Sequence, residues 1–246
     1  MNKKLVMIFM TAVFFFSFIS CSKSGDDVFK QKYVHKYRLS VSEPSDLCLS
    51  EDGSSLWTVS DEKNKAYLIS FKGKVLKELN IHGRDPEGIT LIDDKTLCVS
   101  LESTSELSFM TTDGKEIRKI KIPLKSEQNS GLEGVFYDNS KKIFYLINEK
   151  DPAMLVFLDS QYRITKKMKL NISHDLSAVT FYKKGNQLWL LSDEDSAVLI
   201  CDPEGNLLKK IKIDIPKPEG IAIDEKAGKF YVVSDSEGIL YEFDLN

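Results

Sequence analysis

Two octapeptides in this chain are near-copies: Ser55-Leu-Trp-Thr-Val-Ser-Asp-Glu62 and Gln187-Leu-Trp-Leu-Leu-Ser-Asp-Glu194. Their tryptophans, Trp57 and Trp189, stand 132 residues apart, or three intervals of 44. A second marker keeps the same beat: Glu43-Pro-Ser-Asp-Leu47, Asp85-Pro-Glu-Gly-Ile89, Gly131-Leu-Glu-Gly-Val135, Asp175-Leu-Ser-Ala-Val179 and Lys217-Pro-Glu-Gly-Ile221. Between their central residues the steps are 42, 46, 44 and 42. A period of this length means that one supersecondary unit is repeated, and that no unit buries its apolar face alone.

Each of the first four repeats divides into four runs of strand length. In the second they are 88–93, 96–102, 106–112 and 115–124, separated by turn residues such as Asp93-Asp94 and Asp113-Gly114. Gly, Asp and Asn at these breaks supply the positive φ of tight hairpins. The second run is apolar on both faces, as in Lys229-Phe-Tyr-Val-Val233, whereas the fourth alternates, as in Leu208-Lys-Lys-Ile-Lys-Ile213. A strand packed on both sides reads the first way and an outermost strand the second. Four strands in about 44 residues is the pattern of a β-propeller blade. The chain is therefore expected to be all-β: a five-bladed β-propeller of four-stranded blades. The competing architectures are an open β sandwich and a six-bladed ring with one degenerate blade.

The fifth repeat supplies only three strands, Gly220–Glu225, Lys229–Ser234 and Gly238–Leu245. The alternating stretch Tyr33–Val41 is predicted to complete this last blade from the N-terminal side, which closes the ring and leaves no open edge. Residues 33–246 then form a single domain.

Met1-Asn-Lys-Lys4 followed by the apolar run Leu5–Ile19 has the form of an export signal, and the run is short for a membrane span. It ends in Phe18-Ile-Ser-Cys21, which resembles a bacterial lipobox. The sequence thus predicts a signal peptide over 1–20, a lipidated Cys21, and a polar tether over 21–32. The alternative is an ordinary secreted chain with a chance cysteine. Location in the cell envelope and membrane attachment through the N-terminal lipid follow from the first reading. Formal charge is −3 and no basic run occurs, so a nucleic-acid partner is not expected. Cys48, Cys98 and Cys201 fall inside strands without metal-ligand spacing and are read as free thiols.

The first strand of a blade lines the channel, and its start lies at the same mouth as the end of the second strand. First-strand starts carry Glu87, Glu133 and Glu219, with Ser45 and Ser177 in the other blades; second-strand ends carry Asp61, Glu149, Asp193 and Asp235, with Leu101 in blade two. Seven carboxylates are thereby predicted around one mouth, with Glu62, Glu102 and Glu194 one residue further on. Two carboxylates about 5 Å apart repel by roughly 3 kcal/mol at an effective dielectric near 20. Three arrangements relieve this: the glutamates staple neighbouring blades by accepting amides, a hard cation such as Ca²⁺ or Mg²⁺ is held among them, or some stay protonated for acid–base work. His82, Arg84 and His174 lie in loops leading to first strands, as secondary candidates on the same face. Trp57, Trp189, Tyr145 and Tyr231 share one strand position and are assigned to packing between blades.

The series Pro44-Ser45, Leu56-Trp-Thr-Val-Ser-Asp-Glu62, Pro86-Glu-Gly-Ile89, Gly131-Leu-Glu-Gly134, Leu188-Trp-Leu-Leu-Ser-Asp-Glu194 and Pro218-Glu-Gly-Ile221 resembles the SdiA-regulated family over about 37–243. The resemblance implies a β-propeller of the cell envelope and implies no reaction. The chain departs from the pattern at Ala178 and at Asn148-Glu-Lys150. A weaker likeness, at the level of fold, is to the regucalcin and gluconolactonase propellers, which hold a divalent cation at the channel mouth but have six blades. Together these give a monomeric binding module for a small molecule, glycan or envelope protein. The rival is a divalent-cation-dependent hydrolase, lactonase or phosphoesterase-like, and a structural role in an envelope complex stands third.

Overall fold

A computed structural model describes residues 29–124 and 131–245. Two short strands come first, β1 (Phe29–Gln31) and β2 (His35–Arg38). Blade one is β3 (Pro44–Leu49), β4 (Ser55–Ser60), β5 (Lys65–Ser70) and β6 (Val75–Asn80). Blade two is β7 (Pro86–Asp93), β8 (Thr96–Leu101), β9 (Glu106–Thr111) and β10 (Glu116–Lys121). Blade three is β11 (Leu132–Asp138), β12 (Ile143–Asn148), β13 (Met154–Leu158) and β14 (Ile164–Lys169). Blade four is β15 (Ala178–Tyr182), β16 (Gln187–Ser192), β17 (Ala197–Cys201) and β18 (Leu207–Ile213), and blade five begins with β19 (Pro218–Asp224), β20 (Lys229–Ser234) and β21 (Ile239–Asp244).

Every blade is an antiparallel meander, and the first strands touch in cyclic order, β3 to β7 to β11 to β15 to β19 and back to β3. The ring closes as the sequence predicts: β2 pairs antiparallel with β21, His35 opposite Glu242 and Arg38 opposite Ile239. The strand proper is shorter than the expected 33–41, although amides on both flanks continue the ladder, Val34 N to Glu242 O at 2.7 Å and Leu39 N to Gly238 O at 2.8 Å. One element departs from the expectation. Residues 29–31, assigned to the tether, form β1, a fifth strand on the outer edge of blade four that runs parallel to β18. Gln31 then donates to Asp244 O in blade five at 2.6 Å, so this segment straps two blades together.

The core is divided as the repeat demands. Five buried clusters lie one at each blade interface: Trp57 with Ile89, Phe109 with Phe144, Tyr145 with Phe181, Trp189 with Phe230, and Tyr67 with Tyr231 mark them in turn. The four aromatic residues at the shared second-strand position all sit in these clusters, as expected of packing. Edge-to-face contact of Trp189 on Phe230, 5.3 Å between centroids, adds about 1 kcal/mol beyond the area buried. Turns between third and fourth strands use Gly73, Gly114 and Gly205 at φ +78°, +100° and +91°, where a Cβ is strained. The three described cysteines are free, with Cys98 and Cys201 buried and Cys48 half-buried.

Candidate functional site

In blades one, two, three and five the marker pentapeptide is where the ladder slips. Pro86 pairs with Leu101 and Gly88 with Ser100, which leaves Glu87 as the extra residue of a bulge; Glu219 is left over in the same way between Pro218 and Gly220. In blade three the slip spans Glu133 and Gly134, and in blade one Asp46 and Leu47. A bulge bends its strand and re-aims a side chain. Here it turns the glutamates into the channel mouth.

The glycine beside each glutamate serves the neighbouring blade. A Cβ on Gly88 would stand 2.7 Å from Glu133 O, and one on Gly134 2.6 Å from Ala178 Cα. A Cβ on Gly220 would overlap the backbone of Asp46. Blade one carries Asp46 where the other repeats have Gly or Ala, and the room they leave on the axis is filled by its side chain. Its carboxylate accepts Leu47 N at 2.8 Å, Ile89 N at 2.9 Å and Val135 N at 3.4 Å, tying blades one, two and three. Asp46 is 1% exposed. Burial outweighs the three amides and pushes its pKa up to about 8.

Asp46 also separates two mouths. On one side of it, Ser45 belongs to a cavity of about 250 Å³ lined by nine carboxylates, two serines and two lysines. The nine include all seven predicted residues, Glu87, Glu133, Glu219, Asp61, Glu149, Asp193 and Asp235, together with Glu102 and Asp175. On the other side, Leu47 belongs to a cavity of about 560 Å³ lined by Leu91, Phe136, Phe181 and Ile223, with Lys183 and Lys226 among its residues. His82, Arg84 and His174 are exposed and line neither cavity.

Four lining residues were absent from the predicted set. Glu102 takes the place expected one residue earlier, because Leu101 is buried in the core, 1% exposed, and the acid follows it. Glu102 Oε1 accepts Gly131 N at 3.0 Å, so this acid staples blade two to blade three. Asp175 accepts Ser192 Oγ at 2.6 Å, Asp193 N at 2.8 Å and Glu194 N at 3.2 Å, and is fixed by them. Lys150 pairs with Glu149 and Lys217 with Asp235, each at 2.7 Å. The staple expected of Glu87, Glu133 and Glu219 is instead the work of Asp46 and Glu102: among the described residues no backbone amide donates to those three glutamates.

Two ammonium groups do not neutralise nine carboxylates. Burial first, and then Asp61, pushes Glu87 up to about 8; burial first, and then Asp193, pushes Glu219 up to about 9. Glu133 rises well above the ordinary carboxylate range through burial and the charge of Glu87. Burial also raises Asp61, Glu102, Glu149 and Asp193. Asp235 Oδ1 is buried with no hydrogen-bond partner among the described residues. Two trios bring carboxylate oxygens within 4.8 Å of one another, Asp85–Glu87–Glu102 and Glu102–Glu133–Glu149, and they share Glu102. That spacing suits a metal ion.

A profile described as SdiA-regulated matches residues 31–244. Among solved structures, the chain is similar to Myxococcus xanthus glutaminyl cyclase, with 13% identity, 88% of this chain and 97% of that one covered, and a TM-score of 0.70. It is also similar to virginiamycin B lyase from Staphylococcus aureus, with 18% identity, 85% and 69% covered, and a TM-score of 0.53. At these identities the likeness shows a shared propeller fold.

Proposed function

Since the chain belongs to the SdiA-regulated family and folds as a propeller with one acidic mouth, we propose that it is an envelope-anchored binding module that takes up a divalent cation there. Ca²⁺ is the first candidate and Mg²⁺ the second. The observation that carries this is the convergence of Glu102, Glu133 and Glu149 with oxygens inside 4.8 Å. Oxygens bound to one Ca²⁺ at about 2.4 Å, or to one Mg²⁺ at about 2.1 Å, lie no more than about 4.8 Å apart, so the trio is close enough for either ion. A cation also supplies the positive charge that Lys150 and Lys217 do not.

Calorimetric titration of the chelator-treated chain tests the reading. Saturable Ca²⁺ binding that Glu133→Gln weakens supports it; no heat with either ion overturns it. The anchor at Cys21 lies outside the described residues and rests on the lipobox-like ending of the apolar run. Its measurement is uptake of labelled fatty acid by the parent chain and not by Cys21→Ser.

A second reading is favoured by one observation. Burial, and then the charge of Asp61, pushes Glu87 up to about 8, within reach of neutral pH, as suits a general acid or base. With a bound cation to activate water, the mouth would then be a hydrolase acting on a lactone or phosphoester, and Lys150 and Lys217 would receive the anionic part of the substrate. Turnover of such esters that requires Ca²⁺ and is lost in Glu87→Gln is the discriminating result. The cyclase and lyase activities belong to the two similar proteins, and transfer of either to this chain requires its own assay.

A further inference from the structure

We infer that the rim formed by the outermost strands of blades three, four and five, centred on β1, lies against an anionic lipid surface. The inference deepens the anchor reading and rests in part on Cys21. The first support is length. Seven residues separate Cys21 from Phe29, a reach of at most about 28 Å, whereas a domain of this size is roughly 45 Å across. A lipid on Cys21 therefore holds blade four on the near side of the ring and keeps the edge between blades one and two on the far side.

The second support is charge. On the near side, β1, β2 and the fourth strands β14 and β18 together carry nine Lys and Arg and no Asp or Glu. Those of the far side, β6 and β10, carry four Lys and Arg with Glu78 and Glu116. On the near side Lys30 is paired with Asp214, Lys210 with Asp195, and Lys212 donates to Asp195 O, which leaves six basic side chains to face the headgroups. No basic run shows in the sequence, because the residues come from one strand position in successive repeats and from the two N-terminal strands. Folding gathers them.

The third support is apolar exposure. Seven large hydrophobic side chains are exposed among the described residues, and five of them, Phe29, Tyr33, Val34, Leu207 and Leu208, lie on β1, its link to β2, or β18. Lys209 Nζ sits 4.3 Å from the centroid of the Phe29 ring. Aromatic and aliphatic groups framed by lysines suit the headgroup boundary, where the stems lie in apolar surroundings and the ammonium heads reach phosphate. With this edge on the lipid, the channel axis runs along the membrane plane and both mouths open sideways to solvent.

Leu76 and Leu208 make the test sharp. Each is the second residue of its blade's fourth strand, with 53% and 56% exposure, but Leu76 is in blade one and Leu208 in blade four. The lipidated full chain carrying Leu208→Trp or Leu76→Trp is placed on phosphatidylglycerol vesicles with brominated acyl chains. Several-fold stronger quenching for Leu208→Trp is expected; equal quenching, or stronger quenching for Leu76→Trp, overturns the inference. The described strands begin at residue 29, so a chain begun at Ser22 keeps all of them and tests the rim without lipid. It should bind phosphatidylglycerol in preference to phosphatidylcholine vesicles at low salt. Each surface lysine is worth about fivefold in such affinity, so Lys36→Gln with Lys167→Gln should weaken it about 25-fold. No preference for anionic vesicles counts against the rim. A parent chain that takes up no fatty acid removes the anchor alone, and a lipidated chain with equal quenching removes the rim alone.

Discussion

The two ends of the channel are made by the same five first strands, yet one cavity is walled by carboxylates and the other by apolar side chains such as Leu91, Phe136, Phe181 and Ile223 mixed with polar and charged residues of both signs. The difference lies in how the strands begin. At the acidic end each marker sits beside a ladder slip or, in blade four, just ahead of the strand, and Gly or Ala lets the next blade approach. At the other end apolar side chains of the first strands line a wider cavity. Close backbone approach leaves no room for large residues, so the side chains that remain must project into the mouth. Asp46 divides the two environments.

The largest effect is expected where the blades meet most closely. Gly220→Ala forces a methyl group onto the Asp46 backbone at the acidic end, whereas a Cβ on Gly53, a turn residue at the apolar end, meets nothing within 4 Å. We predict a loss of about 4 kcal/mol or more, or failure to fold, for Gly220→Ala. For Gly53→Ala, where only the φ of +66° is strained, about 1 kcal/mol is expected. Denaturant titration of the two variants checks the contrast. Equal losses would mean that the axis tolerates repacking and that the two ends are constrained alike.

Asp46→Ala is next. It leaves the buried amides of Ile89 and Val135 without their acceptor, and a loss of about 3 kcal/mol is expected. Asp46→Asn keeps a carbonyl oxygen and should lose less than half of that. If the two variants melt together, the side chain is not the link between blades one, two and three.

Much of this was legible before any coordinates. The period of the markers gives five blades, and the missing fourth strand of the last blade points to the N-terminal stretch that closes it. All seven predicted acids line one cavity because the repeat carries register with it. What escaped is what repeats do not encode. β1 is three residues long and pairs outside the repeat, so neither periodicity nor alternation marks it. Asp46 was visible only as the residue in the glycine place, and the meaning of the exchange depends on what lies across the axis. Glu102 was displaced by one position because Leu101 is drawn into the core. Lys150 and Lys217 reach the mouth from loops, where the sequence sets no register.

A cation should affect one mouth alone. At a Ca²⁺ concentration a hundred times Kd, binding to the folded state adds about 2.7 kcal/mol, read as a rise in Tm that a chelator reverses. Glu133→Gln should remove most of the rise, whereas Phe136→Leu in the apolar cavity should leave it intact. A Ca²⁺ response lost equally in both would place the ion elsewhere.

The smallest effect, and the most diagnostic, is its pH dependence. Glu87 and Glu219 have folded-state pKa values raised to about 8 and about 9, so between the unfolded carboxylate range and these values the folded chain holds more protons than the unfolded one. Stability of the chelated protein must then fall as pH rises across that window, from about pH 5 towards 9. An ion that binds the carboxylates displaces the same protons, so its affinity moves the opposite way. For each proton displaced, Kd for Ca²⁺ should drop about tenfold per pH unit below the folded pKa, equivalent to about 1.4 kcal/mol. Titrations at pH 6, 7 and 8 read this slope directly, and Glu87→Gln should flatten it. A Kd independent of pH would show that these carboxyls are already ionised without the ion, and that the acidic mouth is balanced by its lysines and hydrogen bonds alone.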